Sequence, residues 1–124
     1  MKVITAMVLS AVPIFALAHV AAANPPSALD LHYNDSRQEL EVLIQHPVTD
    51  PQDHYIQEVT VLKNGQEMAN RKFTSQTSHR NQTLTPVQFP AIEGDAIEVR
   101  AACNQSGSGS QSITVGKPQR PPRG

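Results

Sequence analysis

Tyr55-Ile56-Gln57-Glu58-Val59-Thr60-Val61-Leu62-Lys63-Asn64-Gly65-Gln66-Glu67-Met68-Ala69-Asn70-Arg71-Lys72-Phe73-Thr74 is the stretch whose reading decides the fold. Its first half is rich in β-branched residues, with Val59 and Val61 on one face, as a half-buried strand requires. Asn64-Gly65 follows, and both residues tolerate the positive φ of a tight hairpin turn. Gln66 to Thr74 then returns as a second strand, polar enough to lie at a sheet edge.

The same grammar extends in both directions. Leu29, Leu31 and Tyr33 alternate with Asp30 and His32, and Asn34-Asp35-Ser36 supplies a turn. Leu40, Val42 and Ile44 alternate with Glu39, Glu41 and Leu43 in the next strand. A loop from Gln45 to Asp53, stiffened by Pro47 and Pro51, leads into the hairpin. Beyond it, Ser75 to Gln82 is polar, Thr83 to Phe89 reads as one strand, and Glu93-Gly94-Asp95 is a turn. Ile97, Val99, Ala101 and Cys103 share one face of a further strand, Asn104 to Ser110 is a Gly/Ser loop, and Ser112 to Val115 makes a last short strand. About seven short strands with no helical period predict an all-β, immunoglobulin-like β-sandwich.

Residues 1–23 carry a different pattern. Lys2 gives one positive charge, Val3 to Leu17 has none, and Ala21-Ala22-Ala23 offers small residues where a signal peptidase cuts. The apolar run is shorter than the roughly 20 residues of a spanning helix. The expectation is a cleaved signal peptide over 1–23, a domain over 24–116 and a disordered Pro-rich basic tail over 117–124. The Ala-rich leader is of bacterial type, so the expected address is the periplasm, with no stable membrane insertion. The remaining roughly 100 residues suffice for one core. The whole chain has a net charge of −1 from 10 bases and 11 acids. Lys2, Lys117, Arg120 and Arg123 lie outside 24–116, which leaves six bases against all eleven acids there, a net of −5. An acidic body of this kind argues against nucleic acid as a partner.

Cys103 is the only cysteine, so no intramolecular disulfide can staple this domain. The chain has no Gly-rich phosphate loop, Gly-x-Ser-x-Gly, His-Glu-x-x-His or paired CxxC. Its potential metal ligands are His32, His46, His54, His79 and Cys103. His46 and His54 bracket one proline-stiffened loop, and Cys103 ends a strand; at one pole of a sandwich two imidazoles and a thiolate can converge. The plainer alternatives are an inert core thiol, since free Cys is among the most buried residues, and solvated loop histidines.

The run His46-Pro47-Val48-Thr49, followed by Asp53-His54-Tyr55-Ile56, with the later Cys103-Asn104, resembles the iron-site segments of the desulfoferrodoxin and superoxide reductase (neelaredoxin-like) family. The likeness spans Leu40 to Val115 and implies the same immunoglobulin-like sandwich. It implies iron as cofactor, held in that family by four histidines and one axial Cys thiolate, with an open position where superoxide is reduced. Carried over by position, His46, His54 and Cys103 match ligands. Ser106 stands where the family has a His three positions after the Cys, and its early Glu-Lys-His segment has no counterpart. His32 lies inside a strand pattern and substitutes poorly, and His79 sits in a polar, exposed stretch. Pro51-Gln52 is the visible excess in a longer loop, and the amino-terminal rubredoxin-like domain of some members is missing. Lys63, at the far end of its strand from His54, does not take the place of the family's superoxide-attracting lysine.

Three protein ligands hold iron(II) weakly, whereas two His and one Cys suit copper or zinc. The sequence therefore leaves three functions open. The first is a metal-binding, superoxide-reductase-like domain using His46, His54 and Cys103. The second is a degenerate, non-enzymatic binding or carrier module with a protein partner, similar to periplasmic sulfur-oxidation carriers. The third is a structural or adhesion-type sandwich, with the His46–His54 loop exposed and remote from Cys103.

Overall fold

A computed structural model describes residues 25–117. The expected leader over 1–23, and all of the expected tail beyond Lys117, lie outside the described residues. Eight strands follow in order: β1 (Ala28–Asn34), β2 (Glu39–Gln45), β3 (Ile56–Lys63), β4 (Gln66–Lys72), β5 (Asn81–Thr83), β6 (Val87–Gln88), β7 (Ala96–Cys103) and β8 (Ser108–Thr114). One antiparallel sheet runs β1-β2-β5, with β6 also paired to β2; the other runs β4-β3-β7-β8. The described residues thus form an all-β sandwich.

Period-two alternation builds the core between the sheets. Leu29, Leu31 and Tyr33 from β1, and Leu40, Val42 and Ile44 from β2, meet Val59, Val61, Ile97, Val99 and Ala101 from the opposite sheet. Phe89, 1 % exposed, fills one end and takes the Tyr33 ring edge-on at 6.4 Å. The Tyr33 hydroxyl donates to the Phe89 carbonyl at 2.8 Å, so the buried phenol is satisfied. Each large apolar side chain buried in this way contributes about 1.5–3 kcal/mol.

Two elements differ from the sequence reading. The strand expected over Thr83 to Phe89 is broken into β5 and β6. Along β2 the step from Leu43 to Leu40 is matched by the longer step from Thr83 to Val87, one extra residue on that side. Pro86, which has no N–H to give to a ladder, lies in the interruption. At the other end of the chain, β8 begins at Ser108, inside the stretch expected to be loop. It pairs with β7 from Ala102↔Ser108 to Ala96↔Thr114. As a largely exposed edge strand it needs few apolar residues, so no alternation marks its start.

One irregularity sets up the site. The β3–β7 register steps from Ile56↔Cys103 to Glu58↔Ala102, so Gln57 is an extra residue in β3. This bulge lets Ile56 and Val59, three positions apart, both lie fully buried. The start of β3, the end of β7 and the residue after β2 thereby meet at one pole of the sandwich. Lys63, Asn64, Asp95 and Phe89 cluster at the opposite pole.

Candidate metal centre

His46 directly follows β2 and is 0 % exposed. Its backbone N–H donates to the Arg80 carbonyl at 2.8 Å, which continues the pairing of β2 past its last strand residue. The imidazole Nδ1 lies 2.8 Å from Gln76 Oε1. The Gln76 amide has one possible orientation here, because its Nε2 donates to the carbonyls of His46 at 2.8 Å and Ser78 at 2.9 Å. Oε1 therefore accepts, both from His46 Nδ1–H and from the Ile56 N–H at 3.3 Å. The proton of His46 is fixed on Nδ1, and its lone pair sits on Nε2, as a metal-ligating histidine requires.

His54 arrives from the other end of the loop. Asp50 shapes that loop by accepting from the Gln52 N–H on Oδ1 at 2.9 Å and from the His54 N–H on its carbonyl at 2.9 Å. Pro51 accepts from the Gln76 N–H at 2.9 Å. Pro51 thus also helps to hold Gln76. The His54 ring stands edge-on to His46 with centroids 4.9 Å apart, and its Nε2 lies 3.0 Å from Cys103 Sγ. Burial holds the His54 pKa below its ordinary value and the neighbouring His46 lowers it further, while Asp53 opposes them. The neutral ring, the form that binds metals, is favoured.

Cys103 closes β7, 5 % exposed, on the inward face that Ile97, Val99 and Ala101 also use. It lies outside the contiguous apolar core, against the two imidazoles. The Gln105 N–H donates to Sγ at 3.4 Å, the kind of backbone contact that stabilises a thiolate ligand. The turn behind it is tight. Cys103 N–H donates to the Gly107 carbonyl at 2.9 Å, and Gly107 has φ +94°. A Cβ at Gly107 would also stand 2.9 Å from Pro25 N, so glycine is required twice over.

Asn104 locks the pole. It exchanges backbone and side-chain bonds with Tyr55, donating to Tyr55 O at 3.0 Å and accepting from the Tyr55 N–H on Oδ1 at 2.9 Å. Its Nδ2 donates to the Asp53 carbonyl at 2.9 Å. Asn104 thereby ties both neighbours of His54 to the residue after Cys103.

The ligand atoms of His46, His54 and Cys103 all lie within 4.8 Å of one another, and this is the metal-compatible group of acidic, His and Cys side chains found among the described residues. The sequence-identified trio is brought together. His32 is exposed in the middle of β1, opposite Glu41, and His79 is exposed, giving the site only its backbone carbonyl through Val48 N–H at 2.7 Å. Ser106 offers no imidazole. Gln76 was not legible as a site residue, since one glutamine in a polar stretch carries no signal of burial. Donors from the His46–His54 loop and from the end of β7, meeting at one pole, would support a metal ion, a hydrogen-bonded thiol–imidazole pair, or both in turn. Compared with known proteins, the chain matches no family model, no curated protein and no solved structure.

Proposed function

We propose that this chain is an exported metal-binding domain whose site is formed by His46, His54 and Cys103. The observation that carries the reading is the convergence of those three donors within 4.8 Å at one pole of the sandwich. Around them the surroundings favour the ligating forms: Gln76 holds the His46 proton on Nδ1, burial favours neutral His54, and Gln105 supports the sulfur. Export rests on the leader-like residues 1–23 and makes the periplasm the expected compartment. The order of ligands and the division into β1-β2-β5/β6 and β4-β3-β7-β8 are compatible with an immunoglobulin-like, superoxide-reductase-type domain. Iron is the metal that likeness implies. Of its five ligands this chain offers three, so binding is a better supported function than superoxide reduction. Lys63 reinforces that view: it donates to Pro90 O at 2.9 Å at the opposite pole, where it cannot steer an anion to the site.

Elemental analysis of protein purified from the periplasm tests the reading directly. About one transition-metal ion per chain is expected, and none in Cys103→Ser. Metal-free protein from metal-replete cells would count against it.

A second reading, a non-enzymatic carrier or binding module without metal, is favoured by a different observation. Cys103 and His54 already satisfy each other at 3.0 Å, and among the described residues no buried side-chain nitrogen or oxygen lacks a partner. That module would be isolated with a bound partner protein and an unmetallated thiol.

A further inference from the structure

We infer that the ion this site is built to take is copper(I), in three-coordinate form. The inference rests on the metal-binding reading above and adds the identity of the metal. The group offers one sulfur and two imidazole nitrogens and includes no carboxylate. The nearest acids in the loop are engaged elsewhere: Asp50 Oδ1 accepts from the Gln52 N–H at 2.9 Å, and Asp53 Oδ2 accepts from Gln105 Nε2 at 3.4 Å. The carboxamide oxygen of Gln76, another candidate hard donor, is occupied by His46 Nδ1 and Ile56 N–H. Met68, whose thioether is a conventional weak axial ligand, is exposed on β4 in the β3–β4 hairpin, opposite Val61 and Leu62 rather than the Ile56 end.

Three donors, one soft thiolate and two borderline imidazoles, are too few for iron(II), which favours more ligands, and leave zinc one ligand short of its tetrahedron. Copper(I) prefers thiolate and imidazole and is content with low coordination. His46 and Cys103 are buried and His54 is half-buried, which restricts the room for the added water ligands a harder ion would need. The size also fits. Donors shared by one first-row ion stand roughly 3.5 Å apart for metal–donor lengths of about 2.0–2.3 Å. Here the spread begins at 3.0 Å, between His54 and Cys103, and stays within 4.8 Å. Small side-chain adjustments suffice, with no change of strand register.

The test is an anaerobic titration of the reduced mature chain with Cu(I), Zn(II) and Fe(II) in parallel, each against a competing chelator and followed by desalting. Retention of one Cu(I) per chain, with ultraviolet thiolate-to-copper absorption and with Fe(II) and Zn(II) removed, is the expected result. Cys103→Ser and His54→Gln should each weaken Cu(I) retention by at least about 100-fold, with far-ultraviolet circular dichroism confirming the fold of both. Retention of Zn(II) or Fe(II) in preference to Cu(I) overturns the copper assignment while leaving the metal-binding reading intact. Cu(I) bound equally well by both variants also overturns it, because the ion would then sit elsewhere. If no metal is retained, both the assignment and the reading beneath it fall.

Discussion

The two poles of the sandwich are closed by the same device and do different things. At one, Asn104 donates its N–H to Tyr55 O, accepts the Tyr55 N–H on Oδ1 and donates Nδ2 to the Asp53 carbonyl. At the other, Asn64 donates its N–H to Ala96 O, accepts the Ala96 N–H on Oδ1 and donates Nδ2 to the Asp95 carboxylate. What lies beneath each clamp differs. Under Asn64 are hydrocarbon and a phenol, Phe89 and Tyr33, with the Lys63 ammonium 5.9 Å above the Phe89 ring. Under Asn104 are His46, His54, Gln76 and Cys103. The chemically capable pole is therefore as firmly tied as the inert one. Its distinction lies in what was buried there, since polar side chains are placed in an interior only with partners arranged around them.

The strongest challenge to that contrast is to remove one of the proposed ligands. Cys103→Ala should abolish stoichiometric metal while leaving the sandwich folded, because the sulfur lies outside the apolar core; metal content and circular dichroism on one sample check both halves. Next comes Gln76→Leu. It orphans the buried His46 Nδ1–H and the Ile56 N–H and frees two carbonyls, an expected loss of about 2–4 kcal/mol in urea unfolding of the metal-free protein. Metal affinity should fall about 10–100-fold as well, since His46 loses the partner that sets its tautomer.

Replacing the two clamps one at a time sharpens the comparison. Asn104→Ala and Asn64→Ala should each cost roughly 1–3 kcal/mol, measured by denaturant unfolding. Only Asn104→Ala should also weaken metal binding; an equal effect from Asn64→Ala would show that the poles are not independent. The smallest effect is expected at Asp95. The Ile92 N–H, and then the Asn64 amide, hold its carboxyl below the usual range, with Lys63 adding to the shift. A carboxylate depressed in the folded state adds stability in full above the unfolded pKa of about 3.9. That contribution fades as pH falls through the lower folded value. Asp95→Asn should flatten this acid limb in thermal melts taken across that window, without altering metal content.

The sequence made most of the architecture legible, because half-buried strands repeat every second residue and Asn64-Gly65 announces its hairpin. It failed where that code is silent. β8 is an exposed edge, so Ser108 to Ser110 look like loop, and the β5–β6 interruption hides in an otherwise strand-like Thr83–Phe89. The three donors were legible as residue types in a resembling order, His46, His54 and Cys103, and the loop between the histidines was visibly stiffened by proline. Gln76 was not legible. Its role comes from burial thirty positions away from His46, a contact that no local pattern encodes.

The extra residue in β3 has a consequence for how the donors are aligned. Gln57 acts as a phase shift: upstream of it every side chain is offset by one position from the alternation that Val59 and Val61 follow. Paired without this bulge, the same sequence would set Gln57 in the place of Ile56 opposite Cys103 and shift His54 along by one residue, about 3.3 Å. The imidazole would then slide past the sulfur it now meets at 3.0 Å. Whether this pole can hold an ion is thus decided by counting, through the parity of one strand, as much as by the donors themselves.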